Sequence, residues 1–194
     1  MKKISYTLRF GIVGNKKSIE TIFLDSLNKL SIESSHIDEI FEFLIVYKLI
    51  PIKIRVFLGE NLENLIKNSE KIQNLDVLIL TLNLYNKDAL NTINKNMVEE
   101  FIEVFLFQGL SVLVGMDIEQ IFKRIPSRSF KISRFQLEKM TKDLDLIYCF
   151  EIFNKSRDVN EIYNTLFNDF ILRFQYSSPE LFETAKNFGK RLLS

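Results

Sequence analysis

The chain has 194 residues, 26 basic and 25 acidic side chains, a formal net charge of +1 and a hydrophobic content of 46%. Those values suit one globular domain with a full core. They exclude a global field for binding nucleic acid or anionic lipid, and the single cysteine, Cys149, excludes an internal disulfide.

In chain order, residues 6–10 read as a short apolar strand. Residues 19–30 read as a helix, with Ile19, Ile22, Phe23, Leu27 and Leu30 on one face. The polar stretch 31–38 has no period and is expected to be a loop. Residues 40–49 and 52–58 flank Pro51 and predict an antiparallel hairpin with the proline in or near its turn. A polar helix is expected over 61–73, and 76–82 is a continuous apolar strand of the kind buried on both faces. Residues 88–107 predict a long helix with Gly109 at its C-terminal cap, followed by a buried strand over 111–115.

Ser133 and Gln136 fit a capping box that opens a helix to about Leu144. Residues 146–152 form the last core strand. Residues 159–174 are amphipathic at helical spacing, and Pro179 starts a further helix to 193. The pattern predicts a three-layer α/β sandwich: a six-stranded, mostly parallel sheet with one antiparallel edge strand, covered by helices on both faces. Residues 1–176 make one domain, and 177–194 add a C-terminal helix packed on it. No apolar stretch reaches membrane-spanning length, since 41–54 is broken by Glu42, Lys48, Pro51 and Lys53; no integral membrane association is expected. A reducing cytoplasm is the simplest location for a chain with one cysteine.

The stretch Gly11-Ile-Val-Gly14-Asn-Lys16-Lys17-Ser18 joins the first strand to the first helix. It matches the phosphate-loop pattern G-x-x-x-x-G-K-[ST] in its first glycine, lysine and serine, with Lys16 in place of the second glycine. Glycine at that place lets the backbone approach phosphate in a conformation a side chain resists. In another frame Ile12-Val-Gly14 ends the strand and the loop is shortened. A plain strand–loop–helix join stands beside both readings.

Further segments fall in the same order. They are Val56-Phe-Leu-Gly59-Glu60, Met116-Asp117-Ile-Glu119 and Phe150-Glu-Ile-Phe-Asn-Lys155. Over residues 4–174 the chain resembles the Ras superfamily of small GTPases, in degenerate form. The resemblance implies a P-loop NTPase fold and GTP or GDP with Mg²⁺ as ligand. It implies nucleotide contacts from Gly11, Gly14, Lys16, Lys17, Ser18, Gly59, Asp117, Glu119 and Lys155, with Ser18 also the metal ligand.

Val56 stands where the family holds magnesium through an aspartate, and Glu60 where a glutamine orients water. Met116 and Asp117 replace the asparagine and lysine of the guanine-reading motif, and Glu119 is one methylene longer than its aspartate. Ser34, Ser35 and His36 occupy the loop that supplies a metal-binding threonine. His36, the only histidine, lacks the partners of a catalytic or metal site.

Losses at four independent places point to an interaction module with GTP hydrolysis impaired or absent, and to no catalytic residue. A functional GTP switch with atypical motifs is the alternative. The expected partner is a protein bound through the switch-side surface and the edge strand 40–49; no nucleic acid is expected. A receiver-like domain would need an acidic cluster after the first strand, which the sequence lacks.

Overall fold

The computed structural model describes residues 6–72, 74–123 and 130–193. Strand β1 (Tyr6–Val13) leads through a two-residue turn into a helix over 16–30, α1, whose middle turn Glu20–Leu24 is π-helical. Strands β2 (Ser31–Ile37), β3 (Ile40–Tyr47) and β4 (Ile50–Gly59) follow as a meander. Helix α2 (Leu62–Lys67) and a helical turn Ser69–Ile72 lead to β5 (Val77–Asn83). A turn of helix, Ala89–Thr92, precedes α3 (Lys95–Phe105) and β6 (Leu110–Met116). Helix α4 (Arg134–Asp143), β7 (Tyr148–Ile152), α5 (Lys155–Ser177) and α6 (Pro179–Leu192) complete the described chain.

The strands form one sheet in the order β2-β3-β4-β1-β5-β6-β7. β1 runs parallel to β4 and β5, and β6 and β7 continue the parallel run. β3 alone runs against the other six strands, antiparallel to both β2 and β4. Period-two alternation sorts the side chains. Phe10, Ile12, Ile54, Ile79, Val112 and Val114 enter a cluster covered by α1, α5 and α6. Val13, Leu78, Leu80 and Leu113 enter a second cluster covered by α2, α3 and α4. These two clusters on opposite faces make the three layers. Tyr163 fixes one layer internally: fully buried on α5, it donates its hydroxyl hydrogen to the Phe23 carbonyl of α1 at 2.9 Å.

The sheet departs from expectation at its border. It has seven strands, not six, and the stretch predicted as a loop is β2. β2 is exposed along almost its whole length, so no burial period marks it in the sequence. Its ladder to β3, a His36–Phe41 ring stack at 4.0 Å and a Ser34–Asn28 side-chain bond hold it. Strand 40–49 is therefore not the edge: β3 is paired on both sides, and the free border belongs to β2.

Other boundaries moved for local reasons. The hairpin turns at Lys48 and Leu49, with φ of 48° and 69°, and Pro51 lies inside β4 opposite Val46. The expected 61–73 helix breaks at Asn68, and Gln73 lies outside the described residues. The long 88–107 helix is interrupted where Asn94 caps α3 by accepting the Met97 N–H. Leu106, not Gly109, takes the left-handed cap, with φ of 46°. The Ser133–Gln136 capping box is present as predicted. None of the described helices is long and apolar enough to cross a membrane.

The C-terminal helix α6 braces the β3–β4 turn. A Cβ on Gly189 would lie 1.8 Å from the Leu49 carbonyl oxygen. The helix backbone thus sits directly on Leu49, one of the two turn residues held at positive φ, a conformation that costs non-glycine residues energy. Gly189→Ala should lower unfolding stability by about 1–3 kcal/mol through this overlap. Urea denaturation checks it; a change under about 0.5 kcal/mol, the range of an uninvolved surface site, would show that α6 does not bear on the turn.

Candidate functional site

β1 lies between β4 and β5, and the chain leaves it toward β2–β4 on one side before crossing to β5–β7 on the other. The crevice beyond the carboxyl ends of β1 and β5 is thus the topological switch point, where sheets of this kind take ligands. Of the phosphate-loop stretch, Gly14, Asn15, Lys16 and Lys17 line this crevice, while Gly11, Ile12 and Val13 lie within β1.

Gly11 is inside β1, paired with Phe57 and Leu78. A Cβ there would stand 3.0 Å from Leu65 and Leu75, so its missing side chain admits the packing of α2. The strand continues to Val13, leaving a turn of only Gly14 and Asn15. This turn is clamped on both sides. The Gly14 N–H donates to the Gly59 carbonyl at 2.8 Å, and the Thr81 hydroxyl donates to the Val13 carbonyl at 2.8 Å. Gly14 has φ of 145°, and a Cβ on it would lie 1.9 Å from Thr81 Oγ1. Asn15 caps α1, accepting the Ser18 N–H at 3.0 Å and its hydroxyl at 3.1 Å. Lys16 and Lys17 open the helix, both exposed.

The switch-like positions are built into the sheet. Val56 is fully buried in the core. Gly59 ends β4, and Glu60 is exposed just beyond it. Ser34, Ser35 and His36 belong to the regular part of β2. Among the described residues, no group of three or more His, Cys, Asp or Glu side chains could hold a metal ion.

The base-reading positions hold instead an ion pair between a buried carboxylate and an exposed lysine. Asp117 is 2% exposed and caps the short helix after β6, accepting the Gln120 N–H at 2.9 Å. Lys131 bridges to its other oxygen at 2.7 Å, with the Tyr85 hydroxyl at 3.4 Å. The same ammonium lies 4.8 Å from the centroid of the Phe153 ring. Glu119 is half-buried, and its Oε2 has no hydrogen-bond partner among the described residues. Lys155 turns to Asp25 on α1 at 2.8 Å.

The turn before Lys155 is organised by Asp158, which accepts the backbone N–H groups of Phe153 at 2.8 Å and Asn154 at 2.7 Å. Burial pushes this carboxyl up. The Asn154 and Phe153 N–H groups and the Arg157 guanidinium more than offset that, and hold it below the ordinary carboxylate value.

Sequence reasoning missed Lys131, Thr81 and Asp158. No spacing rule ties a lysine to an aspartate 14 residues away, and Thr81 sits unmarked in an apolar strand. Asp158, three residues after Lys155, carries a readable signal, since an acid in the first turn of a helix meets free N–H groups.

An open cavity of about 900 Å³ spans the switch point, lined by Gly14–Lys17, Glu60–Asn61 and residues from the end of β5 to Met97. A smaller one of about 340 Å³ lies on the other side of Lys16, against His36, Phe41 and Gly59. The sequence matches no protein-family model and no curated protein.

Two outcomes follow for stability. Lys131→Met should cost about 1–3 kcal/mol by leaving a buried carboxylate without its countercharge. The double variant Asp117→Asn/Lys131→Met should cost less than that single change, because asparagine keeps the cap without the charge. Chemical denaturation of the three proteins decides; a double variant weaker than the single would remove the pair's role. Asp158 has a lowered folded pKa, so its contribution is full above the unfolded carboxylate pKa of about 4. It is lost as pH falls through the folded value. Asp158→Asn should lower stability at neutral pH and flatten the acid limb of the stability–pH curve; an unchanged acid limb would contradict this.

Proposed function

We propose that the chain is a small-GTPase-like protein-interaction module with a degenerate nucleotide site and impaired or absent GTP hydrolysis. The observation that carries the reading is the two-residue turn after β1, clamped by Gly59 and Thr81. A phosphate cradle works by presenting several loop N–H groups to the oxygens. Here the N–H of Gly14 is spent on β4 and that of Ser18 on Asn15.

The family relationship itself is supported by strand order. An antiparallel hairpin lies on one side of β1 and three parallel strands on the other, with the motif-like segments at their carboxyl ends. A buried valine in place of the magnesium aspartate and a lysine already seated on Asp117 support the loss of chemistry. Phosphoryl transfer relies on positioning and electrostatic stabilisation, so removing several parts compounds the loss. Partner binding would use the switch-side surface and the free β2 border, which presents unpaired backbone groups. The net charge of +1 argues against nucleic acid as the partner, and the single cysteine suits a cytoplasmic setting.

The alternative, a functional GTP-binding switch, draws on one observation: a large cavity remains beside Lys16 and Lys17. Titration with a fluorescent GTP analogue, with and without Mg²⁺, separates the two. The proposal expects no magnesium-dependent, guanine-selective saturation. Saturable binding that requires Mg²⁺ and disappears in Lys17→Ala would establish the alternative.

A further inference from the structure

We infer that β7, the second border of the sheet, is a self-association surface: two copies of this chain join their sheets there, antiparallel, about a two-fold axis at Phe150. β5 and β6 separate β7 from β1, so this surface is independent of the crevice and of any nucleotide.

β7 is paired on one side only, to β6, from Tyr148 opposite Val112 to Ile152 opposite Met116. The Ile152 carbonyl accepts the Asp117 N–H at 2.9 Å on the β6 side. Backbone groups alternate in direction along a strand. Tyr148, Phe150 and Ile152 therefore bond inward, and Cys149 and Glu151 present theirs at the border. The Cys149 carbonyl is accordingly free to take a hydrogen bond from the Arg134 guanidinium, at 3.2 Å. A border with free N–H and C=O groups is a template for another strand.

Two side chains make this border complementary to itself. Glu151 is 16% exposed, yet its carboxylate accepts no hydrogen bond from any described residue, and its one ion-pair partner among them is Arg134 at a loose 4.0 Å. Arg134 is half-exposed and spends its Nε on Glu138 at 2.8 Å. Beside them, Phe135 in the first turn of α4 is 76% exposed and Ile147, just before β7, is 52% exposed.

In a two-fold contact the same patch meets itself. An axis perpendicular to the sheet keeps each side chain on its own face. Centred on Phe150, the middle residue of Tyr148–Ile152, it pairs the whole strand. Phe150 then faces Phe150 of the partner subunit, a close aromatic pair of the kind that stabilises sheets. Cys149 faces Glu151 of the partner subunit, and their border groups exchange hydrogen bonds. The partner subunit's Glu151 arrives beside the Cys149 carbonyl, where Arg134 already sits. Each under-satisfied carboxylate gains a guanidinium, twice per dimer. An unrelated strand would have to supply an acid at that place, whereas a second copy brings one by symmetry.

Sedimentation velocity of the full chain at rising concentration should show monomer passing to dimer. Glu151→Arg and Arg134→Glu each set like charges together and should weaken the dimer roughly tenfold or more. The swap Arg134→Glu/Glu151→Arg should restore it, with circular dichroism confirming the fold. In a Cys149→Ser background, Phe150→Cys should form a disulfide-linked dimer on mild oxidation, because Cα atoms opposed in a non-hydrogen-bonded pair lie about 4.5 Å apart, within disulfide reach. Ser34→Cys on the β2 border, in the same background, should not. The cysteine variants decide even where a charge variant fails to fold. A chain that stays monomeric at every concentration would overturn the inference. So would a dimer indifferent to both single charge changes, or one cross-linked by Ser34→Cys and not by Phe150→Cys.

Discussion

The end of β1 is gripped from both sides. Gly59 takes the Gly14 N–H, and Thr81 reaches across from β5 to the Val13 carbonyl. There is no room for a side chain at position 14, because a Cβ would overlap the Thr81 hydroxyl. This grip decides how the chain passes from sheet to helix. It holds Val13 in register with both neighbours, allows only two residues before Lys16, and places the Asn15 cap. A longer, outward-bowed loop would have to release one of those bonds and leave a backbone group unpaired in a protein interior.

The same trade recurs around the crevice. Polar groups that could face a ligand are engaged by the protein itself: Asp117 by Lys131 and the Gln120 N–H, Lys155 by Asp25, Asp158 by two backbone N–H groups. Satisfied internally, these groups rigidify the strand ends without needing an occupant.

Much of the fold was legible because burial imprints a period. The strands at 76–82 and 111–115 and the helix at 159–174 came through nearly intact, and the Ser133 cap is read directly from residue types. β2 was not legible, since a strand exposed on both faces has no apolar alternation. Nor was the hairpin turn: Pro51 is the stronger local signal, yet Lys48 and Leu49 bear the positive φ, buttressed by Gly189 far away in sequence. Gly11 shows the limit for the site. Its place in a motif pattern suggested a phosphate contact, whereas its surroundings are the side chains of Leu65 and Leu75. Pairings such as Asp117 with Lys131 are tertiary, and a single sequence gives no means to foresee them.

The central claim is that this scaffold stands without guanosine chemistry. Its most direct test is to purify the untreated protein, denature it, and resolve the released small molecules by anion-exchange chromatography with mass detection. The account predicts no guanosine nucleotide. GDP or GTP released in near-equimolar amount with the protein would contradict it.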